Sequence, residues 1–260
     1  MLKTRALTAA VLLALFGSAL FLLPELGWIV FCAVLLAIAV WEWGALAALT
    51  PTPRSVYTAC LVLLFILPLG FQGSGNLYAP AWIYYASSIF WILLVPLWMW
   101  RRQGLGQAAL LAAGIAALVP ACAALVDLRS GHPSLLLAVL GTVWISDSAA
   151  YFIGRRFGRR KLAPSISPGK TWEGVFGALA AVGIYALAWA GLGAASPAWI
   201  VPVLLGLAVA GMIGDLFESL IKRQAGVKDS GTLLPGHGGI LDRIDAPLAM
   251  LPLAVLAFMR

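Results

Sequence analysis

Residues 198–223 read AWIVPVLLGLAVAGMIGDLFESLIKR, an apolar run that ends in a group of polar side chains. An α-helix formed by residues 198–217 rises about 30 Å, which is the thickness of the hydrocarbon core of a bilayer. The polar residues recur every three or four positions, so they share one face of the helix where it leaves the membrane. They are Asp215, Glu218, Ser219 and Lys222.

The rest of the chain has the same apolar character. Of its 260 residues, 62% are hydrophobic and 10% are charged, whereas a soluble domain has about 25% charged residues. Breaks at Pro, Gly and charge clusters predict an all-α polytopic membrane protein with nine transmembrane helices, the first retained although it resembles a signal peptide. The predicted spans are 6–23, 27–49, 56–70, 81–100, 105–127, 134–153, 172–192, 198–217 and 246–259.

The basic residues predict the orientation of these spans. With the N-terminus in the cytoplasm and the C-terminus outside, all but two of the 17 Lys and Arg residues fall on the cytoplasmic side, the exceptions being Arg129 and Arg260. The net charge of +7 is then explained by topology, and no nucleic acid partner is expected. We predict an inner (cytoplasmic) membrane protein of the bacterial type, with N-terminal helices in 1–130 and a catalytic region in 131–260.

Two polar cytoplasmic segments, 154–171 and 218–245, are predicted to carry the chemistry. Seven of the ten acidic residues lie in or beside them: Asp147, Glu173, Asp215, Glu218, Asp229, Asp242 and Asp245. Carboxylates at the inner ends of membrane helices need cations, basic side chains or water. Asp215, Asp242 and Asp245 could together hold a hard cation such as Mg²⁺. The alternative is salt bridging at helix ends, for example between Glu218 and Lys222.

The stretch KDSGTLLPGHGGILDRID, residues 228–245, is rich in glycine and is flanked by basic side chains. Its glycines permit a tight loop whose backbone N–H groups approach a phosphate closely. The alternative is a turn that re-enters the membrane with snorkelling Lys and Arg. Between the glycines, His237 could act as an acid or base, or simply form hydrogen bonds within the loop.

The other polar segment contains SPGKTWEG from Ser167. Lys170 and Thr171 stand at the start of a predicted helix, where the helix N-terminus and the lysine both favour an anionic phosphate. Asp147 and Ser148, at the inner end of the preceding span, could face the same pocket. Asp147 could equally be a polar contact between packed helices.

Residues 219–245, SLIKRQAGVKDSGTLLPGHGGILDRID, resemble the signature S-x-x-K-R, K-D-x-G, P-G-H-G-G, D-R-x-D of the phosphatidate cytidylyltransferase (CDP-diacylglycerol synthase) family. SDSAAYFIGR from Ser146 and SPGKTWEG are also similar to family blocks. The resemblance implies a membrane nucleotidyltransferase of phospholipid biosynthesis, which joins CTP to phosphatidic acid to give CDP-diacylglycerol and pyrophosphate. It also implies dependence on Mg²⁺, compatibility with a second cation such as K⁺, and a homodimer with its active site facing the cytoplasm.

The resemblance and the spacing together give a set of candidate residues. The candidate catalytic residues are Asp215, Lys222, Asp242 and Asp245, and the metal ligands implied by the resemblance are Asp215, Asp242 and Asp245. The candidate substrate-binding residues are Asp147, Ser148, Lys170, Thr171, Ser219, Arg223, Lys228, Asp229, His237 and Arg243.

Two other classes of membrane protein fit the sequence less well. An ion or solute transporter would carry polar residues at mid-bilayer in several spans, but Glu42 is the main exception in otherwise apolar spans. A CDP-alcohol phosphatidyltransferase would show D-G-x-x-A-R followed by G-x-x-x-D-x-x-x-D, and this pattern is absent from the sequence.

Overall fold

The computed structural model describes residues 2–70, 77–101, 104–193, 195–234, 236 and 238–259. The chain is dominated by helices, because long apolar runs in a bilayer must satisfy their backbone hydrogen bonds internally. The elements are α1 Leu2–Leu22, α2 Glu25–Leu46, α3 Pro51–Ile66, α4 Ala81–Ile89, α5 Val95–Arg101, α6 Gln107–Gly131, α7 Pro133–Phe157, β1 Lys161–Ala163, β2 Ser167–Thr171, α8 Trp172–Gly191, α9 Pro197–Gln224 and α10 Leu241–Phe258.

The helices coincide with the predicted spans. A π-helical turn, Phe90–Leu94, joins α4 to α5, so the described residues form nine continuous helical segments, each overlapping one predicted span. By length and composition, six segments can cross a membrane: α2, α4 with α5, α6, α7, α8 and α9. The chain is therefore an integral membrane protein. The shorter apolar helices Thr8–Leu22 and Pro51–Ile66, and the charged start of α10, leave the count of nine crossings a prediction.

The all-α prediction missed a short hairpin between α7 and α8. Strands β1 and β2 pair antiparallel, with Lys161 opposite Thr171 and a bulge in the register. Pro164 and Pro168 disfavour helix in this segment. Strands of three and five residues are too short to show a clear alternation of apolar and polar side chains in the sequence.

Glycines allow α9 and α10 to approach closely. A Cβ atom on Gly214 would overlap the backbone oxygen of Asp245, and one on Gly211 would lie 3.4 Å from the Cβ of Ala246. Small residues are common where membrane helices pack backbone to backbone. This close packing places Asp215, on α9, beside the start of α10.

Helices from both predicted regions pack against each other. Helix α10 contacts α6 and α4, and the buried ring of Phe217 on α9 lies among aromatic rings of α2 and of the α4–α5 segment. These rings belong to Trp43, Phe90, Trp91 and Trp98. The N-terminal helices thus support the helices that carry the polar residues. The division of the chain near residue 130 stays a prediction.

Hydrogen bonds between helix ends join residues that the predicted topology places on the same side. At the predicted cytoplasmic end, the backbone N–H of Leu105 donates to Gln224 Oε1 at 2.8 Å. At the opposite end, Arg129 Nε donates to the backbone oxygen of Leu20 at 2.8 Å. Segments that alternate in direction would give this pattern, while the orientation in the membrane stays a prediction.

Candidate active site

Helix α9 ends in a turn that sends the chain into the glycine-rich loop. Gly226 adopts a φ of 71°, which favours glycine because a Cβ atom is strained there. The N–H of Val227 donates to the oxygen of Lys222 at 2.9 Å, and the N–H of Gly226 donates to the oxygen of Arg223 at 3.1 Å. These paired bonds form a Schellman motif. The motif places the last turn of α9, with Lys222, at the base of the loop.

Lys222 joins α9 to α10 through two carboxylates. Its Nζ lies 2.9 Å from Glu218 Oε2 and 2.6 Å from Asp242 Oδ1. All three side chains are largely buried, and burial of such groups is tolerated when they are paired and hydrogen-bonded. The salt bridge between Glu218 and Lys222, given above as the alternative to a metal site, is therefore present. Asp242 extends it into a three-member network.

The second oxygen of Asp242 organises the loop. Asp242 Oδ2 accepts hydrogen bonds from the Ser230 backbone N–H at 2.9 Å, from Ser230 Oγ at 2.9 Å and from the Gly239 N–H at 2.8 Å. Burial raises the pKa of this carboxyl, but the hydrogen bonds from Lys222, Gly239 and Ser230 outweigh burial and leave the pKa below its usual value. Asp242 therefore ties both ends of the loop to Lys222.

Glu42, on α2, holds the same loop from the other side. Its Oε1 accepts from the Ile240 N–H at 3.0 Å, and its Oε2 accepts from the Leu241 N–H at 2.8 Å. Ser230 Oγ lies 3.1 Å from Oε2, so its single proton is shared between Glu42 and Asp242. The side chain is buried, with 5% of its residue surface exposed. A carboxylate suits this position because it caps the free N–H groups at the start of α10. Sequence analysis did not include Glu42 in the site.

The middle of the loop forms a tight turn, as its glycines predicted. Gly236 and Gly238 have positive φ values of 76° and 83°, and the Leu234 N–H donates to the Gly238 oxygen at 2.9 Å. A Cβ on Gly231 would lie 2.6 Å from Glu42 Oε1, so glycine is needed for close approach there. The candidate His237 lies outside the described residues.

The segment between α7 and α8 supplies the second wall of the site. Lys170, on β2, places its Nζ 2.5 Å from Asp215 Oδ2 on α9, and both side chains are partly exposed. Thr171 is the N-cap of α8, and its Oγ1 accepts from the Gly174 N–H at 3.2 Å. The predicted helix start at these two residues is thus confirmed, and Lys170 lies against Asp215 in the C-terminal half of α9.

Five acidic side chains gather where α7, α9 and α10 meet, and we call them the carboxylate cluster. They are Asp147, Asp215, Glu218, Asp242 and Asp245. Asp245 interacts electrostatically with Asp147, Asp215 and Glu218. Asp147 interacts with Asp215 and also with Lys170 and Arg243. Five acidic groups against three basic ones (Lys170, Lys222 and Arg243) leave a formal charge of −2.

The carboxylate oxygens of the cluster are suitable cation ligands, although the side chains do not surround a common point as they would around a bound metal ion. No three His, Cys, Asp or Glu side chains stand together as ligands of a metal ion in the ranges that the structure describes. Glu218 Oε1, however, is buried and receives no hydrogen bond from the described residues. Asp245 accepts a hydrogen bond from the neighbouring Ala246 N–H at 2.8 Å, and its carboxyl group also interacts with that of Glu218. Carboxylate oxygens with excess negative charge are the donors that Mg²⁺ prefers.

Five further candidate residues lie on the elements that carry the cluster. In the described part of the chain, none of them forms a hydrogen bond or ion pair with a carboxylate of the cluster. Arg223, Lys228 and Asp229 are exposed on the loop side. Ser148 is exposed on α7, and Ser219 is half-buried on α9. Their positions allow contact with a substrate that approaches the loop, but the structure gives none of them a fixed partner in the cluster.

Known proteins resemble this chain over almost its whole length. A model of the family described as "Cytidylyltransferase family" matches residues 3–259. The phosphatidate cytidylyltransferase of Pseudomonas aeruginosa is 39% identical over 97% of this chain and 95% of its own length. That of Haemophilus influenzae is 34% identical over 97% and 96%, respectively. That of Brucella suis is 39% identical over 98% and 92%.

Proposed function

Because this chain belongs to the cytidylyltransferase family, we propose that it transfers the cytidylyl group of CTP to phosphatidic acid, giving CDP-diacylglycerol and pyrophosphate for phospholipid biosynthesis. The relatives named phosphatidate cytidylyltransferase, which match almost the whole chain, support this reaction. The observation that carries it at the level of residues is the carboxylate cluster with Lys170 and Lys222 at the end of membrane helices.

The transfer is a displacement at phosphorus. An oxygen of the phosphatidate phosphate attacks the α-phosphorus of CTP, and the bond from that phosphorus to the bridging oxygen of the β-phosphate breaks, so that pyrophosphate leaves with the electron pair. A phosphate monoester has a second pKa near 6, so the attacking group is largely dianionic at neutral pH and needs no strong general base. The main barrier is repulsion between two anions, which the protein must neutralise.

The basic side chains near the cluster have different roles in neutralising this repulsion, because their contacts differ. Lys222 is held by Glu218 and Asp242, so we assign it a positioning role between α9 and α10. Lys170 is less buried than Lys222, and its ion pair within the described residues is with Asp215, which leaves its ammonium group accessible to a substrate phosphate. Arg243 lies near Asp147 and extends the positive charge to the start of α10.

Mg²⁺ fits this site through the oxygen donors of the carboxylate cluster, and Asp215, Asp242 and Asp245 would hold it. When bound, the ion would neutralise the nucleotide phosphates and favour departure of pyrophosphate. The formal charge of −2 in the cluster matches one divalent cation, and a second cation such as K⁺ is part of the proposal by family resemblance. Asp242 already accepts bonds at both oxygens, so Asp215 and Asp245 are the members with more unused acceptor capacity.

We also propose that the protein lies in the inner membrane with its active site facing the cytoplasm. Excess basic residues on one side support an active site that faces the cytoplasm, and bacterial relatives support the inner membrane. A site at the helix ends would let phosphatidate keep its acyl chains in the bilayer while its phosphate reaches the carboxylate cluster. A homodimer is proposed from family resemblance alone.

The reaction is tested with purified protein, CTP, dioleoyl-phosphatidate and Mg²⁺, by measuring pyrophosphate and CDP-diacylglycerol together. We expect equal amounts of both products with CTP, and rates at least about tenfold lower with ATP or GTP, a difference of roughly 1.4 kcal/mol in barrier. Comparable rates with ATP would contradict the assignment to CTP. Pyrophosphate without a lipid product would indicate hydrolysis instead of transfer.

A further inference from the structure

A second polar feature lies beside the hairpin, at the ends of α7 and α8. It is a groove of about 900 Å³ that shares no lining residue with the carboxylate cluster. Arginines and aromatic rings dominate its wall, namely Arg156, Arg159, Arg160, Phe157, Trp172 and Phe176. We refer to it as the arginine groove.

The arginines of the groove carry positive charge that the protein neutralises only in part, since Glu173 interacts electrostatically with Arg160. All three are exposed, and within the described ranges none of them forms an ion pair with a carboxylate. Glu173 is the acid in the wall of the groove. Its carboxylate accepts the backbone N–H groups of Arg159 and Arg160, at 3.0 and 3.2 Å. Three arginines and one glutamate leave a formal charge of +2.

The aromatic rings of the groove suit contact with hydrocarbon better than contact with water. The exposed fractions of Phe157, Trp172 and Phe176 are 59%, 45% and 64%. Exposing this much apolar ring surface to water would cost free energy. Trp172 and Phe176 lie on the first turns of α8, which is long and apolar enough to cross a membrane. The groove therefore spans the boundary between hydrocarbon and water, where aromatic rings and Arg side chains are enriched. Basic pockets between helices at this depth suit anionic lipid head groups.

We propose that the arginine groove binds the phosphate of an anionic phospholipid from the same leaflet. Arg156, Arg159 and Arg160 contact the phosphate oxygens, since guanidinium groups match phosphate geometry, and the acyl chains lie along the exposed rings. A nucleotide is a poorer occupant because it would leave these rings in water.

The lipid phosphate has two possible sources, and they differ chemically. Phosphatidate carries a monoester phosphate and, if the proposed function is right, would be held here before it reaches the carboxylate cluster. A phosphodiester lipid such as phosphatidylglycerol would be bound as a component of the surrounding membrane. Both kinds of lipid present the groove with a phosphate anion that carries acyl chains.

Lipid binding without CTP tests the groove directly. Purified protein is mixed with phosphatidate, phosphatidylglycerol or phosphatidylcholine in detergent, and bound lipids are counted by native mass spectrometry. The groove variant is R156Q/R159Q/R160Q, which keeps the backbone donors to Glu173. The control R101Q/R155Q/K161Q removes the same charge from exposed residues outside the groove. Because the groove arginines would contact the lipid phosphate directly, we expect the groove variant to bind anionic lipid at least about tenfold more weakly. The control should bind as the wild type does.

The outcomes separate the two lipids and the two proposals. Loss of phosphatidate binding alone identifies the groove as a substrate site, and it should then raise the KM for phosphatidate without changing that for CTP. Loss of both anionic lipids identifies a general lipid site. Wild-type binding of both lipids by the groove variant, or displacement of lipid by excess CTP, overturns the proposal. Since no turnover is needed, an inactive wild type that still binds lipid would contradict only the proposed reaction.

Discussion

At the scale of single residues, Glu42 has the clearest role that sequence analysis did not foresee. We expect Glu42→Gln to lower both the thermal midpoint and the turnover, because an amide offers one acceptor oxygen where three donors converge. A hydrogen bond to a charged group contributes about 2 kcal/mol, and a donor left buried without a partner costs a similar amount. Turnover should fall at least about tenfold, corresponding to roughly 1.4 kcal/mol, as the loop loses its anchor.

Glu25→Gln is the matched control for this variant, since Glu25 is an exposed residue at the start of the same helix. It should leave both quantities unchanged. If Glu42→Gln keeps the wild-type midpoint and turnover, the carboxylate does not position the loop.

The candidate residues differ in how far the sequence could predict them. Asp215 and Lys170 were both proposed for the site, and the structure pairs them. Asp215 lies near the end of one predicted span and Lys170 just before another, so the strong hydrophobic signal of these spans located both residues. The partners of Glu42 are up to 199 positions away, and no local pattern in the sequence reports such a contact. Its one signal was an isolated acid in an apolar span. For Asp242, spacing suggested a metal ligand but could not show the bonds to Ser230 and Gly239.

At the scale of elements, the contact between α9 and α10 depends on glycine. We expect Gly214→Ala to reduce turnover and the thermal midpoint, because the added Cβ would overlap the backbone oxygen of Asp245 and push the two helices apart. Gly206→Ala on the same helix is the control, since a Cβ there has nothing within 4 Å. Overpacking of this kind costs about 1–3 kcal/mol. Equal midpoints and rates for the two variants would show that close packing at Gly214 is not required.

The helices were predicted well because hydrophobic length is a strong signal, and all nine predicted spans overlap a helical segment in the described residues. The hairpin of β1 and β2 was missed because its strands contain three and five residues. Its position depends on contacts with neighbouring elements, such as the bond between Lys170 and Asp215. The π-helical turn at Phe90–Leu94 likewise has no local signature in the apolar run.

At the scale of the whole molecule, the predicted topology places the ends of α8 on opposite sides of the membrane. Single cysteines at Lys161 and Leu192 test this in a background with the exposed Cys60 replaced by Ser. Leu192 is 86% exposed and Lys161 is also exposed. In intact cells, an impermeant maleimide should label Leu192→Cys, whereas Lys161→Cys should be labelled only after permeabilisation.

The labelling pattern distinguishes three topologies. The opposite pattern would reverse the orientation inferred from the basic residues. Labelling of both positions from outside would mean that α8 does not cross the membrane, although its length and composition allow it to.

The rate of CDP-diacylglycerol formation by purified Asp245→Asn tests most directly whether the carboxylate cluster performs the transfer. Asparagine keeps the volume of Asp245 and an acceptor for the Ala246 N–H, and it removes one charge from a cluster in which Asp215 and Glu218 repel Asp245, so we expect an unchanged thermal midpoint. The rate should be at least about 100-fold lower, because losing one carboxylate weakens charge stabilisation by several kcal/mol. Asp242→Asn should lose stability as well as rate, since its carboxylate also holds Lys222 and the loop. A stable Asp245→Asn protein with wild-type turnover across Mg²⁺ concentrations would contradict the assignment of the active site to this cluster.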